Sequence, residues 1–338
     1  MSMYIKKPFF KSMSIINSIS MIGLILGVLV VMTNTMWFGV WLGLELNMLC
    51  FISLMSNSNF FPISETTLKY FLIQASGSFM MFISLVVFGL NFKLLSTMAL
   101  LAMMLKIGAS PFHFWFIQIS NGLSWPILTL LMTIQKFPPL LIMNLISSEN
   151  FFIITSTAIL SAVVGAIGGI NETSLRKLLN FSSINHLSWM ILPMITPSMV
   201  WLLYFIFYSI IISSLTLMMS KQKILNHLQI NINNKYHMMI VLSLLSLGGL
   251  PPLTGFFPKL MVMNTILHFN LLPFLVPLIL SSLVTLYFYI RMLNLILYPS
   301  VLTTIKMHKN MEPYYVFSLI VNFSMVVLMI LLNSHNLL

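Results

Sequence analysis

The sequence predicts an all-α polytopic membrane protein of about eleven transmembrane helices, ten of them forming two inverted five-helix repeats with two broken helices. Three observations predict this. Of the 338 residues, 59% are hydrophobic and only 6% charged, with a mean hydropathy of +1.01. A water-soluble fold cannot hide that much apolar surface. Apolar runs of spanning length follow one another with short connections, which favours antiparallel neighbours. Finally, two of the runs, five spans apart, are interrupted by glycine, proline and lysine. An offset of five reverses the direction of travel, the sequence sign of an inverted-repeat transporter.

In order, residues 1–12 form a basic segment with Lys6, Lys7 and Lys11 but no arginine, a poor match to a transit peptide. The first span, near 13–32, has nearer transmembrane than signal-peptide length and no clear small-residue cleavage site. Further spans lie near 36–55, 66–90, 94–119 and 125–146, closing the first repeat (13–146). The second repeat (150–297) holds spans near 150–170, 174–194, 197–219, 236–263 and 271–297. A loop and one appended span near 313–333 fill residues 298–338. Gly23/Gly27, Gly39/Gly43 and Gly165/Gly169 are spaced for close helix packing.

Lys6, Lys7, Lys11, Lys69, Arg176, Lys177, Lys221, Lys223, Lys235, Lys306 and Lys309 all fall on the face that holds the N-terminus, against Lys93 on the other. That asymmetry places the N-terminus inside. The net charge of +11 thus records topology and is no nucleic-acid footprint.

The chemistry concentrates in the few charges left within the spans. Glu45 sits about nine residues into its helix, roughly 14 Å from the end and close to the midplane. Lys106 lies mid-span, five residues before Pro111, whose ring would clash with the carbonyl of Ile107. Lys136 is again mid-helix and again followed by prolines, Pro138 and Pro139. Lys259 follows the second interruption, which runs through Gly248, Gly249, Pro251, Pro252, Gly255 and Pro258. Broken helices survive at membrane depth only where the freed backbone is buried in protein or faces a watery cavity. An ammonium at mid-bilayer costs roughly 2.5–3.5 kcal/mol on insertion scales, so such residues are functional by default. Dry ammonium groups give up protons more readily than wet ones, and a nearby carboxylate opposes this. Glu45, Lys106, Lys136 and Lys259 therefore form a candidate proton line, which His113 and His186 extend or merely pack beside. The bland alternative is static pairing that locks helices together, and Lys259 has a further one, snorkelling to the surface.

Other residues are assigned local roles. Glu65 and Lys69 form an (i, i+4) pair, and Arg176, Lys177 and Arg291 are interfacial anchors. The lone Cys50 excludes an internal disulfide framework and a Cys-ligated cluster. There is no Asp, no glycine-rich nucleotide loop and no paired His set at haem-ligating spacing. No cofactor is expected on this chain, and nothing in it could drive protons against a membrane potential. A partner must supply the energy.

Several separate stretches resemble the chain 2 family of mitochondrial NADH:ubiquinone oxidoreductase (respiratory complex I), in its shortened animal form. They are Trp41–Leu49, Glu65–Phe71, Lys106–Trp115, Gln135-Lys136, Leu175–Trp189 and Leu247–Lys259. They occur in the family's order, from about residue 37 to 291. The resemblance implies an antiporter-like, proton-translocating subunit without redox centres. Glu45 and Lys106 would be its glutamate–lysine pair, Lys136 the central lysine and Lys259 the lysine near the exit. It implies the mitochondrial inner membrane with the N-terminus in the matrix, neighbouring membrane-arm subunits in a hetero-oligomer, and a lipid bilayer around them. NADH, flavin, iron–sulfur clusters and ubiquinone would be used by other subunits. Glu172 stands where the family leads one to expect a neutral polar residue, and no role follows for it. Two other readings are a free-standing monovalent cation/proton antiporter and a purely structural subunit. The absence of Asp argues against the first, since a dehydrated sodium site favours paired carboxylates.

Overall fold

Residues 15–56, 63–86, 92–222, 237–297 and 322 are described by a computed structural model, and among them the regular structure is helical. The N-terminal segment and the appended span near 313–333 lie outside the described residues, except Asn322. So do Lys6, Lys7, Lys11, Lys223, Lys235, Lys306 and Lys309.

The helices are α1 (Ile15–Thr33), α2 (Trp37–Ser56), α3 (Ile63–Val86), α4 (Phe92–Ile107), α5 (Phe114–Ser120), α6 (Trp125–Met132) and α7 (Phe137–Ile146), followed by α8 (Phe151–Gly169), α9 (Leu175–Ile191), α10 (Val200–Gln222), α11 (His237–Gly248), α12 (Phe256–His268) and α13 (Leu272–Leu297). Helix therefore occupies each of the ten expected spans that fall among the described residues. Among the described residues, six stretches are long and apolar enough to cross a membrane unaided: α1, α2, Trp125–Glu149, α8, Val200–Lys221 and Leu272–Leu293.

Two spans break where proline and glycine coincide, and the two breaks share a construction. At the end of α4, Gly108 takes φ +73°. Its N–H donates to Met104 and Leu105, and the Ala109 N–H reaches back to Met104 at 3.1 Å. At the end of α11, Gly249 takes φ +82°, its N–H donates to Leu245 and Ser246, and Leu250 reaches back to Leu245. Both are glycine-capped helix ends of the Schellman type, in which only glycine holds the left-handed position without strain.

A third interruption was not expected. Residues 125–146 read as one helix with Lys136 inside it, whereas Thr133–Lys136 open into a wide turn between α6 and α7. The Gln135 N–H reaches Leu130 at 3.1 Å, a step of five residues, and the Lys136 N–H returns to Thr133 at 3.0 Å. The cause lies downstream: Pro138 and Pro139 lack N–H groups and would clash with the carbonyls four residues earlier, so the preceding turn gives way.

Small residues set the closest approaches. A Cβ on Gly27 would stand 3.0 Å from both the Gly43 carbonyl and the Asn47 N–H of α2, and one on Gly165 would stand 2.6 Å from the Asn185 backbone N of α9. The expected pairing of small residues thus holds for Gly27, Gly43 and Gly165. Gly39 differs, since it faces the Asn34 side chain in the turn before α2. Replacing Gly165 with Ala is expected to force α8 and α9 apart at a cost of about 1–3 kcal/mol. A lowered thermal stability of the protein in detergent would register this, and an unchanged one would show that the helices adjust freely.

The centre of the bundle is α9. It is among the more polar helices, yet every residue except Lys177 is buried, because it is enclosed by α5, α8, α10 and α13. In a bilayer, a polar helix is stable only inside such a sheath.

Candidate functional site

Among the described residues the ion pairs within 4.0 Å are Lys69–Glu65 at 2.6 Å and Lys177–Glu172 at 3.7 Å. The first is the expected helical pair, and the second gives Glu172 a partner. Neither involves a buried lysine of the candidate line. Lys106, Lys136 and Lys259 are only 5%, 2% and 4% exposed. All three turn inward, and none is neutralised by a carboxylate of the described residues at ion-pair distance.

Lys106 stands in the last turn of α4, where the break leaves carbonyls without helical partners. The indole N–H of Trp115 donates to the Leu105 carbonyl at 3.0 Å, and the Gln74 amide donates to the Lys106 carbonyl, also at 3.0 Å. The lysine side chain runs along Gly77, where a Cβ would lie 3.0 Å from its Cγ. Glu45, half-buried on α2, acts on the Lys106 charge through space.

Lys136 lies at the open turn before α7, with no hydrogen-bond partner for its ammonium among the described residues. Instead the group stands 4.8 Å from the centroid of the Phe116 ring and 5.7 Å from that of Tyr208, so its local compensation is the aromatic faces. Gln135 beside it is fixed on both sides: its amide donates to Asn47 of α2 and its oxygen accepts from the Tyr70 hydroxyl of α3, each at 3.1 Å.

Lys259 enters α12 just after the second break, and its ammonium donates to the Gly248 carbonyl at 2.9 Å, the end of α11. It does not snorkel. The Trp189 ring of α9 lies 6.0 Å away.

His186 lies on α9. Its Nδ1 lies 2.8 Å from the Tyr204 hydroxyl and its ring 5.2 Å from Tyr208, the same tyrosine that faces Lys136. The charges of Lys259 and Lys136 both act on it. A cavity of about 10 Å³, roughly one water in size, is lined by His186, Tyr204 and Tyr208 on one side and by Ser246, Gly255 and Pro258 of the second break on the other. His113 behaves differently. Its Nδ1 meets the Pro111 carbonyl at 3.1 Å and its ring packs 4.1 Å from Phe114, both inside the first break. Arg176 is buried and donates to the Asn121 carbonyl at 2.6 Å, tying α9 to the end of α5.

Sequence reasoning assigned no roles to Asn47, Tyr70, Gln74, Gln135, Tyr204 or Tyr208. The available signal was polar side chains within apolar spans, above all Gln135 next to a lysine already singled out.

Residues 34–285 match the family described as NADH:quinone oxidoreductase/Mrp antiporter, transmembrane. A relative from Anopheles gambiae, named NADH-ubiquinone oxidoreductase chain 2, is 42% identical over 82% of this chain and 84% of its own. A chain in a structure of respiratory complex I from Thermus thermophilus with bound aureothin superposes with a TM-score of 0.82 at 20% identity, covering 96% of this chain and 80% of that one. A chain of the Mrp complex from Dietzia superposes at 0.75 and 14% identity, over 88% and 64%. The two superpositions fix the fold as that of antiporter-like subunits in membrane assemblies, and the sequence matches are closer still. The chain belongs to the NADH-ubiquinone oxidoreductase chain 2 family.

Proposed function

We propose that this chain carries protons across the mitochondrial inner membrane as a subunit of NADH:ubiquinone oxidoreductase, with its N-terminus in the matrix. Glu45, Lys106, Lys136 and Lys259 hold and release the protons, and His186 with Tyr208 bridges Lys136 and Lys259. The observation that carries this reading is the set of three buried ammonium groups without a carboxylate at ion-pair distance among the described residues. A structural staple would neutralise each charge permanently, since an uncompensated buried charge is costly. Among the described residues the Lys259 ammonium is held by a carbonyl and that of Lys136 by ring faces, so that a proton lost from either leaves no carboxylate unpaired. Such groups change state when a neighbouring charge moves.

Electron transfer from NADH through flavin and iron–sulfur clusters to ubiquinone belongs to other subunits, and its energy reaches this chain through neighbouring membrane-arm subunits. The names of its relatives and its likeness to chains of multisubunit assemblies support this. Purification in mild detergent tests it. The expected product is a large flavin-containing assembly that oxidises NADH. Recovery of the chain alone, exchanging cations for protons in vesicles, would establish the free-standing antiporter instead.

A further inference from the structure

Three positions on α3 at the spacing of one helical face, Tyr70, Gln74 and Gly77, meet the surroundings of both lysines in the first half of the path. The Tyr70 hydroxyl donates to Gln135, next to Lys136, at 3.1 Å. One turn on, the Gln74 amide donates at 3.0 Å to the carbonyl of Lys106 itself. A further turn on, Gly77 leaves the space along which the Lys106 side chain lies. Tyr70 and Gln74 are buried. The Tyr70 ring packs between Phe51 of α2 and Trp115 of α5, at centroid distances of 5.0 and 6.2 Å. The same Trp115 caps the neighbouring carbonyl of the break. α3 places no amine, imidazole or carboxylate among these contacts, only the Tyr70 phenol and the Gln74 amide.

We propose that this face of α3 is a positioning element, which fixes Lys106 and Lys136 relative to one another so that a proton at one is felt at a set distance by the other. The inference rests on the reading of those lysines as proton carriers. Gln74 grips the backbone at the point where α4 stops, and Tyr70 grips the turn where α6 opens into α7. A displacement at either interruption is therefore conveyed to the other through one rigid helix. Asn47 completes the bracket by binding Gln135 from α2 at 3.1 Å, two residues from Glu45.

The test uses the assembled complex in sealed vesicles, with NADH-driven proton uptake, NADH oxidation and the pH profile of uptake measured per assembled complex. Four changes are compared: Gln74→Met, Tyr70→Phe, Lys106→Met, and Gln74→Met combined with Lys106→Met. Tyr70→Phe keeps the ring packing and removes only the hydroxyl, so it reports even where Gln74→Met fails to assemble. The expected result is a loss of uptake on the order of tenfold in Gln74→Met and Tyr70→Phe, since misplacement by about 1 Å costs up to a hundredfold. A displaced pH profile is expected in both, and no further loss when Gln74→Met is added to Lys106→Met. Normal uptake and pH profile per complex in both α3 variants, with Lys106→Met inactive, would overturn the positioning role and leave the lysine reading intact. Unchanged uptake in Lys106→Met would remove the lysine reading itself. Fewer complexes of normal activity would mark α3 as structural only and overturn the proposal.

Discussion

Replacing Lys136 with Met is expected to abolish NADH-driven proton uptake while leaving the bundle as stable as before, or more so. The two halves of this result have one cause. The ammonium is buried without a hydrogen-bond partner among the described residues and faces the rings of Phe116 and Tyr208. A methionine side chain of similar reach would place its thioether against the same rings, a favourable contact, and would remove a charge whose burial costs free energy. Loss of a group that accepts and gives protons typically lowers a rate by about 10²–10⁴-fold. The measurements are uptake by sealed vesicles and thermal stability of the purified complex. Retained uptake would show that protons do not pass through this amine, and a marked loss of stability would show that the lysine holds the fold.

At Lys259 the same exchange is expected to have a different outcome. Its ammonium is the partner of the Gly248 carbonyl, so Lys259→Met leaves a buried acceptor unpaired at a cost of about 1–3 kcal/mol. Proton uptake should again fall by about a hundredfold or more, but now with a lowered unfolding temperature. Lys259→Arg is expected to recover stability, because its N–H groups still reach a carbonyl, without recovering uptake, because a guanidinium does not release its proton. Uptake restored by Arg would argue that position 259 needs only positive charge.

The parts of this site legible in the sequence were those with a local physical signature. A proline five residues past Lys106 announces a helix end through the clash with Ile107, and glycines ahead of Pro251 do the same for the second break. A charge far inside an apolar run has to turn inward, so the burial of Lys106 and Lys136 could be expected without coordinates. The opening at Thr133–Lys136 was written in Pro138 and Pro139. It was hidden because apolar residues on both sides continue the helical run. What remained invisible depends on partners far along the chain. Gln135 meets Asn47 across 88 positions and Tyr70 across 65. Nothing in Tyr208 itself shows that one face of its ring meets a lysine and its neighbourhood a histidine. The contacts of Arg176 were equally invisible, its guanidinium ending against Asn121 and the Trp125 ring.

The glycine caps of α4 and α11 have an electrical consequence. A helix C-terminus carries a partial negative charge equivalent to about half an electron, felt within its last turn. Lys106 lies in that turn of α4, and Lys259 binds the final carbonyl of α11. Peptide dipoles, unlike carboxylates, have no acid form at any physiological pH, so this part of the local field stays constant through a catalytic cycle. Being fractional, it steadies an ammonium without cancelling it. The broken helices thus act as fixed half-charges, against which the arrival or departure of a single proton is the variable.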